Sequence, residues 1–304
     1  MPRDTKLVSQ EAAKTRRPRG PRKRKKAAMA DEEACSSACS GCSVSDCGDR
    51  SAPQAHILQP NARTSISHLI GVVSGKGGVG KTLVTSLLAT EMQRRGFRIG
   101  ILDADVTGPS IPKAFGIDRI SGIDEDGILP SETASGIKII SVNLLLPETD
   151  TPVAWRGPVI SGVIRQFFNE VTWGDLDYLF VDMPPGTSDV LLTVFQALPI
   201  DGIVTVSAPQ ELVAMIVGKA VNLARDMGVE VLGLVENMAY FSCGNCGEKH
   251  YIFGEPQGAE IAGRYGIPAV ATLPLDPEFT RLCDAGRIEE YEVGEALDAI
   301  IAQL

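Results

Sequence analysis

The sequence predicts an α/β fold in which a mostly parallel sheet is covered by helices on both faces. Short, continuously apolar segments alternate with longer helical segments from His68 to the end of the chain. A strand that is apolar throughout must be buried on both sides, and parallel sheets with helical crossovers meet that condition. A glycine-rich turn and acidic residues follow individual strands, which places the chemistry at the carboxyl edge of the sheet, where ligands of such sheets bind.

The elements follow from local composition in chain order. Short apolar runs rich in Ile and Val predict strands at residues 68–74, 98–105, 137–142, 178–186, 202–209, 231–238 and 267–275. Longer segments with apolar residues at helical spacing predict helices at residues 81–95, 160–171, 211–228 and 294–304. The alternation requires crossover connections, and these keep successive strands parallel.

The amino-terminal segment, residues 1–65, is predicted to be a disordered tail ahead of one domain at residues 66–304. The tail is polar and short of large apolar residues, so it cannot bury enough surface to fold alone. Eleven of the 29 basic residues and two of the 38 acidic residues lie in residues 1–28, which leaves a net charge of −18 on residues 29–304. A start of translation at Met29 would remove the basic run.

The charge distribution argues against nucleic acid as a partner. The acidic residues 29–304 repel the phosphate backbone of nucleic acid. The basic run could serve as a nucleic-acid arm, but a solvated leader is the preferred interpretation because no other feature is typical of nucleic-acid binding.

The apolar runs and the cysteines indicate the compartment. No apolar run reaches the ~18 residues that a membrane helix needs, and no export signal is recognisable. We therefore expect a cytoplasmic protein with no membrane contact. In that compartment the seven cysteines favour metal or redox chemistry over disulfides.

The segment GKGGVGKT matches the phosphate-binding pattern G-x-x-x-x-G-K-[ST] between a predicted strand and a predicted helix. Glycines let backbone N–H groups close around phosphate oxygens, and the helix start adds partial positive charge. Lys81 is expected to reach the β- and γ-phosphates of ATP, and the Thr82 hydroxyl to ligate Mg²⁺. The predicted nucleotide-binding residues are Gly75, Lys76, Gly77, Gly78, Val79, Gly80, Lys81 and Thr82.

Two aspartates at strand ends are candidates for the chemistry. Asp182 ends the apolar run LFVD and is expected to help hold Mg²⁺. Asp105, in LDADVTGPS, is the candidate for orienting the attacking water, although it could instead cap a turn.

The segments GKGGVGKT, DADVTGPS and VDMPPGTSD, with a late C-x-x-C, together resemble the Mrp/ApbC family of P-loop ATPases, which belong to the deviant Walker A class. The resemblance covers residues 66–304. It implies a homodimer in which Lys76 crosses the interface to the partner's nucleotide, so Lys76 joins Lys81 and Asp105 as a candidate catalytic residue. It also implies that Asn237, in VENM, contacts the adenine.

The segment CGNCG supplies two thiolates, Cys243 and Cys246, which is an incomplete ligand set for a metal ion or a cluster. A twofold axis could supply the other pair. The resemblance implies a 4Fe–4S cluster that bridges two subunits through this motif at residues 243–246. From the spacing alone, a zinc knuckle or a thiol turn stays open.

The tail holds a second set of cysteines in the segment 35–47. Four thiolates in a flexible segment can close around one cluster without a partner. The set resembles the amino-terminal motif of the family's eukaryotic cytosolic scaffold branch, from which its first spacing departs. Its members are Cys35, Cys39, Cys42 and Cys47.

The function expected from these features is an ATP-dependent carrier or scaffold that binds 4Fe–4S clusters, hydrolyses ATP slowly and transfers clusters to apoproteins. An ATP-driven electron-transfer reductase is an alternative, but residues 48–242 contain no cysteine to ligate a cluster inside the domain. A Min- or Par-type positioning ATPase is another. The last basic residue is Arg287, so the carboxyl-terminal helix lacks the cationic face of a membrane anchor.

Overall fold

The computed structural model describes residues 57–105, 110–145, 157–186, 189–209 and 213–304. The strands within these residues are β1 (Ser65–Ser74), β2 (Ile99–Asp103), β3 (Gly122–Asp124), β4 (Gly127–Leu129), β5 (Ser131–Glu132), β6 (Lys138–Ser141), β7 (Asp175–Asp182), β8 (Gly202–Ser207), β9 (Glu230–Ser242), β10 (Lys249–His250) and β11 (Val270–Pro274). The α-helices are α1 (Lys81–Arg94), α2 (Ile111–Ala114), α3 (Gly157–Glu170), α4 (Asp189–Ala197), α5 (Val213–Asp226), α6 (Gly258–Tyr265), α7 (Pro277–Asp284) and α8 (Asp298–Ile301).

The main sheet is mostly parallel, as the sequence predicts. Its strand order is β10-β9-β8-β1-β7-β2-β6-β5, and β11 lies beside β9. Within the described residues, the antiparallel pairings in this sheet are β10 with β9 at one edge and β5 with β6 at the other. The parallel strands therefore end at a common edge, where the predicted site residues follow them.

Two apolar cores flank the sheet, which explains why its central strands are apolar throughout. In β1, Leu69 and Val73 pack into one core, whereas Ile70 and Val72 pack into the other. Helix α1 covers the second core, and α3, α4 and α5 contribute to the first. Both faces of the sheet are therefore buried, as the continuous apolar runs predict.

The register of the central strands aligns the residues that begin the site. Asp103 at the end of β2 pairs with Asp182 on β7 and with Ser141 on β6. Val72 on β1 pairs with Asp182 on its other side. The turn after β1 therefore starts next to the two aspartates.

Several elements differ from the sequence prediction. Strand β9 continues to Ser242, beyond the predicted end at residue 238, because β11 pairs with it as far as Tyr240 and β10 folds back on its last residues. The closing helix is shorter than predicted and is preceded by a 3-10 helix, Gly294–Leu297. The short polar hairpin of β3 and β4 carries no periodicity that sequence patterns detect.

Part of the predicted tail packs on the domain. Leu58 lies against the first core, and its backbone N–H donates to the Ala197 carbonyl over 2.9 Å. Asn61 Nδ2 donates to the Asp126 carbonyl over 2.6 Å. The four tail cysteines at positions 35, 39, 42 and 47 lie outside the described residues.

Across the described residues, none of the helices has both the length and the apolar character that crossing a membrane requires.

Candidate nucleotide and metal site

The glycine-rich turn joins the end of β1 to the start of α1. Gly78 and Gly80 adopt positive φ angles of 81° and 84°, which L-residues other than glycine rarely adopt. The first N–H groups of α1 point out of this turn, and such a helix start attracts anions. The turn borders a cavity of about 580 Å³, also lined by Ser74, Ser86, Asp105, Ser110, Lys113, Pro185, Met238 and Phe279 among others.

Lys81 is the cation at the centre of this site. Its side chain is 5% exposed, and its Nζ lies 2.8 Å from Asp182 Oδ2 and 3.4 Å from Asp105 Oδ2. A buried ammonium group needs such partners because burial removes its hydration. Lys81 is therefore held at the cavity by the two aspartates that the sequence singled out.

Asp182 is fully buried and connects α1 to the sheet. It accepts hydrogen bonds from Thr82 Oγ1 over 2.7 Å and from Thr85 Oγ1 over 2.8 Å. A threonine hydroxyl beside a carboxylate offers the hard oxygen ligands that Mg²⁺ prefers, so these residues fit the ion. Sequence reasoning missed Thr85. Its position four residues after Lys81, on the same face of a helix, is the signal that could have found it.

Asp103 is a second buried carboxyl group that sequence reasoning left without a role. It accepts from Ser141 Oγ over 2.9 Å and from the Asp105 N–H over 3.1 Å. Burial, followed by the charge of Asp182, raises the pKa of Asp103 to about 8, although Lys81 and Ser141 act in the opposite direction. Asp103 is therefore expected to hold a proton at neutral pH.

Asn237 lies directly behind the glycine-rich turn. Its side chain is buried, and Nδ2 donates to the Val79 carbonyl over 3.0 Å. A Cβ atom at Gly80 would meet Asn237 Nδ2 at 2.1 Å, so the close approach requires glycine there. Asn237 Oδ1 is buried and has no hydrogen-bond partner among the described residues. The next residue, Met238, has a φ of 56° and lines the cavity.

A smaller cavity of about 190 Å³ adjoins Asn237. Its lining is mostly apolar, and it shares Gly80, Leu83, Met238 and Phe279 with the larger cavity. A flat apolar group would fit between these mostly apolar side chains. The other lining residues are Leu87, Leu273, Pro274, Leu275, Asp276, Thr280, Tyr291 and Val293.

Lys76 lies apart from the lining of both cavities. Its side chain is exposed, next to the exposed Gly77 and Gly78. The turn therefore carries one buried lysine directed at the cavity and one lysine at the surface. This difference in burial is consistent with separate roles for the two side chains.

Cys243 and Cys246 lie in a hairpin between β9 and β10. The Cys243 N–H donates to the Glu248 carbonyl over 2.9 Å, and the Gly247 N–H donates to the Cys243 carbonyl over 2.8 Å. Backbone N–H groups of Asn245 and Cys246, followed by the Cys246 thiol, lower the pKa of Cys243. A lowered thiol pKa favours the thiolate, which is the form that binds metals.

The cysteine hairpin offers two candidate metal ligands, Cys243 and Cys246. Among the described residues there is no group of three or more His, Cys, Asp or Glu side chains placed to hold a metal ion. Cys246 is exposed and Cys243 is half-buried, so both thiols are accessible at the surface. Cys283 lies elsewhere, where burial raises its thiol pKa to about 11.

The fold and the phosphate-binding turn define the chain as a P-loop NTPase. A family model described as ParA: NUBPL iron-transfer P-loop NTPase matches residues 65–304. The chain belongs to this family.

Relatives of known name agree with this assignment. An iron-sulfur cluster carrier protein of Clostridium perfringens is 46% identical over 245 residues, which span 78% of this chain and 86% of the relative. The cytosolic Fe-S cluster assembly factor CFD1 of Kluyveromyces lactis is 37% identical over 233 residues, which span 74% of this chain and 82% of the relative.

Solved structures show the same fold. A nucleotide-binding protein of Archaeoglobus fulgidus in complex with ADP has a TM-score of 0.68 and 46% identity, over 75% of this chain and 89% of that chain. The cell division ATPase MinD of Pyrococcus furiosus has a TM-score of 0.53 and 20% identity, over 78% and 96% of the two chains. The second likeness concerns the fold alone.

We predict that Gly80→Ala weakens ADP binding far more than Gly78→Ala does. Both variants force alanine into a left-handed conformation, which costs about 1–2 kcal/mol. Only the Gly80 variant also pushes a methyl group into Asn237, since nothing lies within 4 Å of the Gly78 position. Calorimetric titration with ADP should show Gly80→Ala binding about tenfold more weakly than Gly78→Ala. Equal affinities would contradict the close packing of Asn237 on the turn.

We predict that Asp103→Asn flattens the dependence of stability on pH. The folded-state pKa of about 8 exceeds the ordinary value of 3.8, so the folded chain keeps a proton that the unfolded chain loses. The contribution of this proton to the free energy of unfolding is fully present below pH 3.8 and is lost as pH rises towards 8. Urea unfolding without nucleotide or Mg²⁺ checks this. The exposed Asp118→Asn is the control, and a wild-type slope in Asp103→Asn would disprove the assignment.

Proposed function

We propose that this chain is an ATP-dependent carrier that holds a 4Fe–4S cluster on Cys243 and Cys246 and passes it to apoproteins. The observation that carries the proposal is the course of β9. This strand places Asn237 against the phosphate-binding turn and, six residues later, leads into the cysteine hairpin. Nucleotide and cargo would thus both bind at one strand. The names of the relatives, a cluster carrier and a cluster assembly factor, support the same function.

The residues at the cavity would have separate roles in ATP hydrolysis. Lys81 pairs with carboxylates in the structure and would exchange them for the β- and γ-phosphates when ATP binds. Thr82 and Asp182 would hold Mg²⁺, which supplies charge neutralisation at the phosphates. Asp105 is 12% exposed at the side chain and borders the cavity, so it can orient the attacking water. The backbone from Gly75 to Gly80, which includes Gly77, Gly78 and Val79, would enclose the phosphates.

The adenine would occupy the smaller cavity. Its amino group can donate to Asn237 Oδ1, which is the buried acceptor without a partner there. The apolar lining from β11, α7 and Met238 would cover the ring faces.

The chain would act as a homodimer. Lys76 is exposed at the carboxyl edge of the sheet, where it can reach across a twofold axis to the nucleotide of the partner. The same axis would bring two cysteine pairs together, and four thiolates complete the usual ligand set of a 4Fe–4S cluster. Separating the subunits would remove half of those ligands at once, which suits release to a recipient.

The proposal also assigns a role to the tail cysteines, a compartment and the partners. The tail cysteines at positions 35, 39, 42 and 47 would hold a separate cluster within one chain. The chain would work in the cytoplasm, with iron–sulfur apoproteins as recipients and without nucleic-acid or membrane partners. The acidic composition of residues 29–304 supports the exclusion of nucleic acid.

We predict that Lys76→Ala keeps most nucleotide affinity but loses hydrolysis. The reason is that Lys76 lies outside the cavity lining, whereas Lys81, paired with two carboxylates at the cavity, should be needed for binding itself. Lys81→Ala is therefore the matched control and should lose affinity. Both are measured by ADP and ATP titration and by phosphate release.

A mixing experiment separates action in trans from action in cis. Lys76→Ala subunits mixed with Asp105→Ala subunits form heterodimers in which one of the two sites has every catalytic residue. Partial recovery of phosphate release is expected after subunit exchange. If no ratio of the two variants recovers any activity, Lys76 does not act across the interface.

We predict that the late cysteines hold the transferable cluster. Cys243→Ser with Cys246→Ser in the full chain should leave iron only in the tail and abolish transfer to an apoprotein. The matched control replaces the four tail cysteines by serine, and it should keep about four irons per dimer. Iron, sulfide and zinc analysis after anaerobic purification measures both variants. Wild-type transfer by the first variant, or zinc in place of iron at this site, would refute the proposal.

A further inference from the structure

Three exposed apolar side chains follow the cysteine hairpin directly. Tyr251 is 40% exposed, Ile252 is 60% exposed and Phe253 is 49% exposed. We call residues 251–253 the apolar segment. Its neighbours on both sides, residues 248–250 and 254–255, are exposed and polar or glycine. Contiguous exposed apolar residues with a polar surround are typical of interaction sites, and aromatic residues are enriched in the centres of protein interfaces.

The apolar segment is fixed relative to the thiols. Strand β10, which immediately precedes it, pairs with the end of β9 at Lys249–Ser242 and at His250–Phe241. Lys249 Nζ also lies 4.0 Å from the centroid of the Tyr240 ring on β9. A chain that contacts one side of this hairpin is therefore placed at a defined position relative to Cys243 and Cys246.

The proposed shared cluster site favours a second copy of this chain as the contacting partner. The hairpin offers two thiols, and the described residues include no third side chain placed to complete a metal site. A second copy of the chain supplies two more thiols of the same kind. Because β9 and β1 are both parallel to β8, the end of β9 lies at the same edge of the sheet as the phosphate-binding turn. One twofold axis at this edge can therefore relate both the nucleotide sites and the cysteine pairs of two subunits.

The charges near the hairpin allow two copies to approach. Glu248 and Lys249 are adjacent and of opposite sign, so the hairpin does not present a surface of one charge to its copy. The chain as a whole carries a net charge of −9, which repels a second copy at long range. Local burial of apolar surface is the interaction that can oppose this repulsion.

We infer that Tyr251, Ile252 and Phe253 form the apolar contact between two copies of this chain around the shared cysteine site. The inference rests on the proposed function. In this arrangement the apolar segments of the two copies surround the four thiolates and exclude water from the cargo.

The test uses the full chain with Ile252→Ser and Phe253→Ser together. The control carries Ile123→Ser and Val159→Ser, which replace side chains of similar exposure, 72% and 50%, on β3 and α3. Each protein is reconstituted anaerobically with ferrous iron and sulfide and then studied by sedimentation at several concentrations. The expected result is a dimer dissociation constant about tenfold higher than wild type for the first variant only, which corresponds to ~1.4 kcal/mol. ADP affinity should stay unchanged in both.

A wild-type dimer dissociation constant in the Ile252→Ser, Phe253→Ser variant would overturn the inference. If that variant also loses transfer to an apoprotein, the apolar segment contacts the recipient instead. If wild-type protein binds no iron at the cysteine pair, the proposed cargo is wrong. The inference is then decided by sedimentation with ATP, where the same tenfold difference supports it and equal constants refute it.

Discussion

The buried ion pair between Lys81 and Asp182 is the interaction on which the rest of the site depends. The 2.8 Å contact joins the first residue of α1 to the end of β7, at the centre of the sheet. Removing one partner from such a pair typically costs about 3–5 kcal/mol, because the other charge is left buried and unpaired. The pair thus fixes the helix start over the strand ends, and with it the direction in which the turn presents its N–H groups.

Burial beside this pair raises the pKa of a neighbouring carboxyl group. Asp103, Asp105 and Asp182 lie near one ammonium group, which cannot compensate three carboxylates in a buried space. Asp103, which is 1% exposed, carries the raised pKa and accepts hydrogen bonds from a neighbouring hydroxyl and a backbone N–H. Binding of a phosphate would change this balance, since Lys81 would then have another anion to neutralise. Nucleotide binding and the charge state of the sheet edge are therefore expected to be coupled.

Strand β9 connects the residues behind the phosphate-binding turn to the cysteine hairpin. Its residue Glu236 is fully buried and accepts hydrogen bonds from the N–H groups of Gln257 and Gly258, at the start of α6. The next residue, Asn237, packs on the phosphate-binding turn, and Met238 adopts a left-handed conformation. A non-glycine residue in that conformation costs about 1–3 kcal/mol and persists only where its neighbours hold it. The strand is thus held firmly on the nucleotide side before it leads into the exposed hairpin.

The class of fold, the phosphate-binding turn and the cysteine pair can be predicted from the amino-acid sequence, because each depends on a local pattern. Alternating apolar strands and helices predict the parallel sheet, and the spacing from Gly75 to Thr82 predicts the turn. Which carboxylates meet Lys81 is visible only in three dimensions, because Asp105 and Asp182 are far apart in the chain and strand register brings the end of β2 beside Asp182. The fit of Asn237 against Gly80, the role of Thr85 and the exposure of the apolar segment likewise arise from packing between distant elements, which no local pattern records.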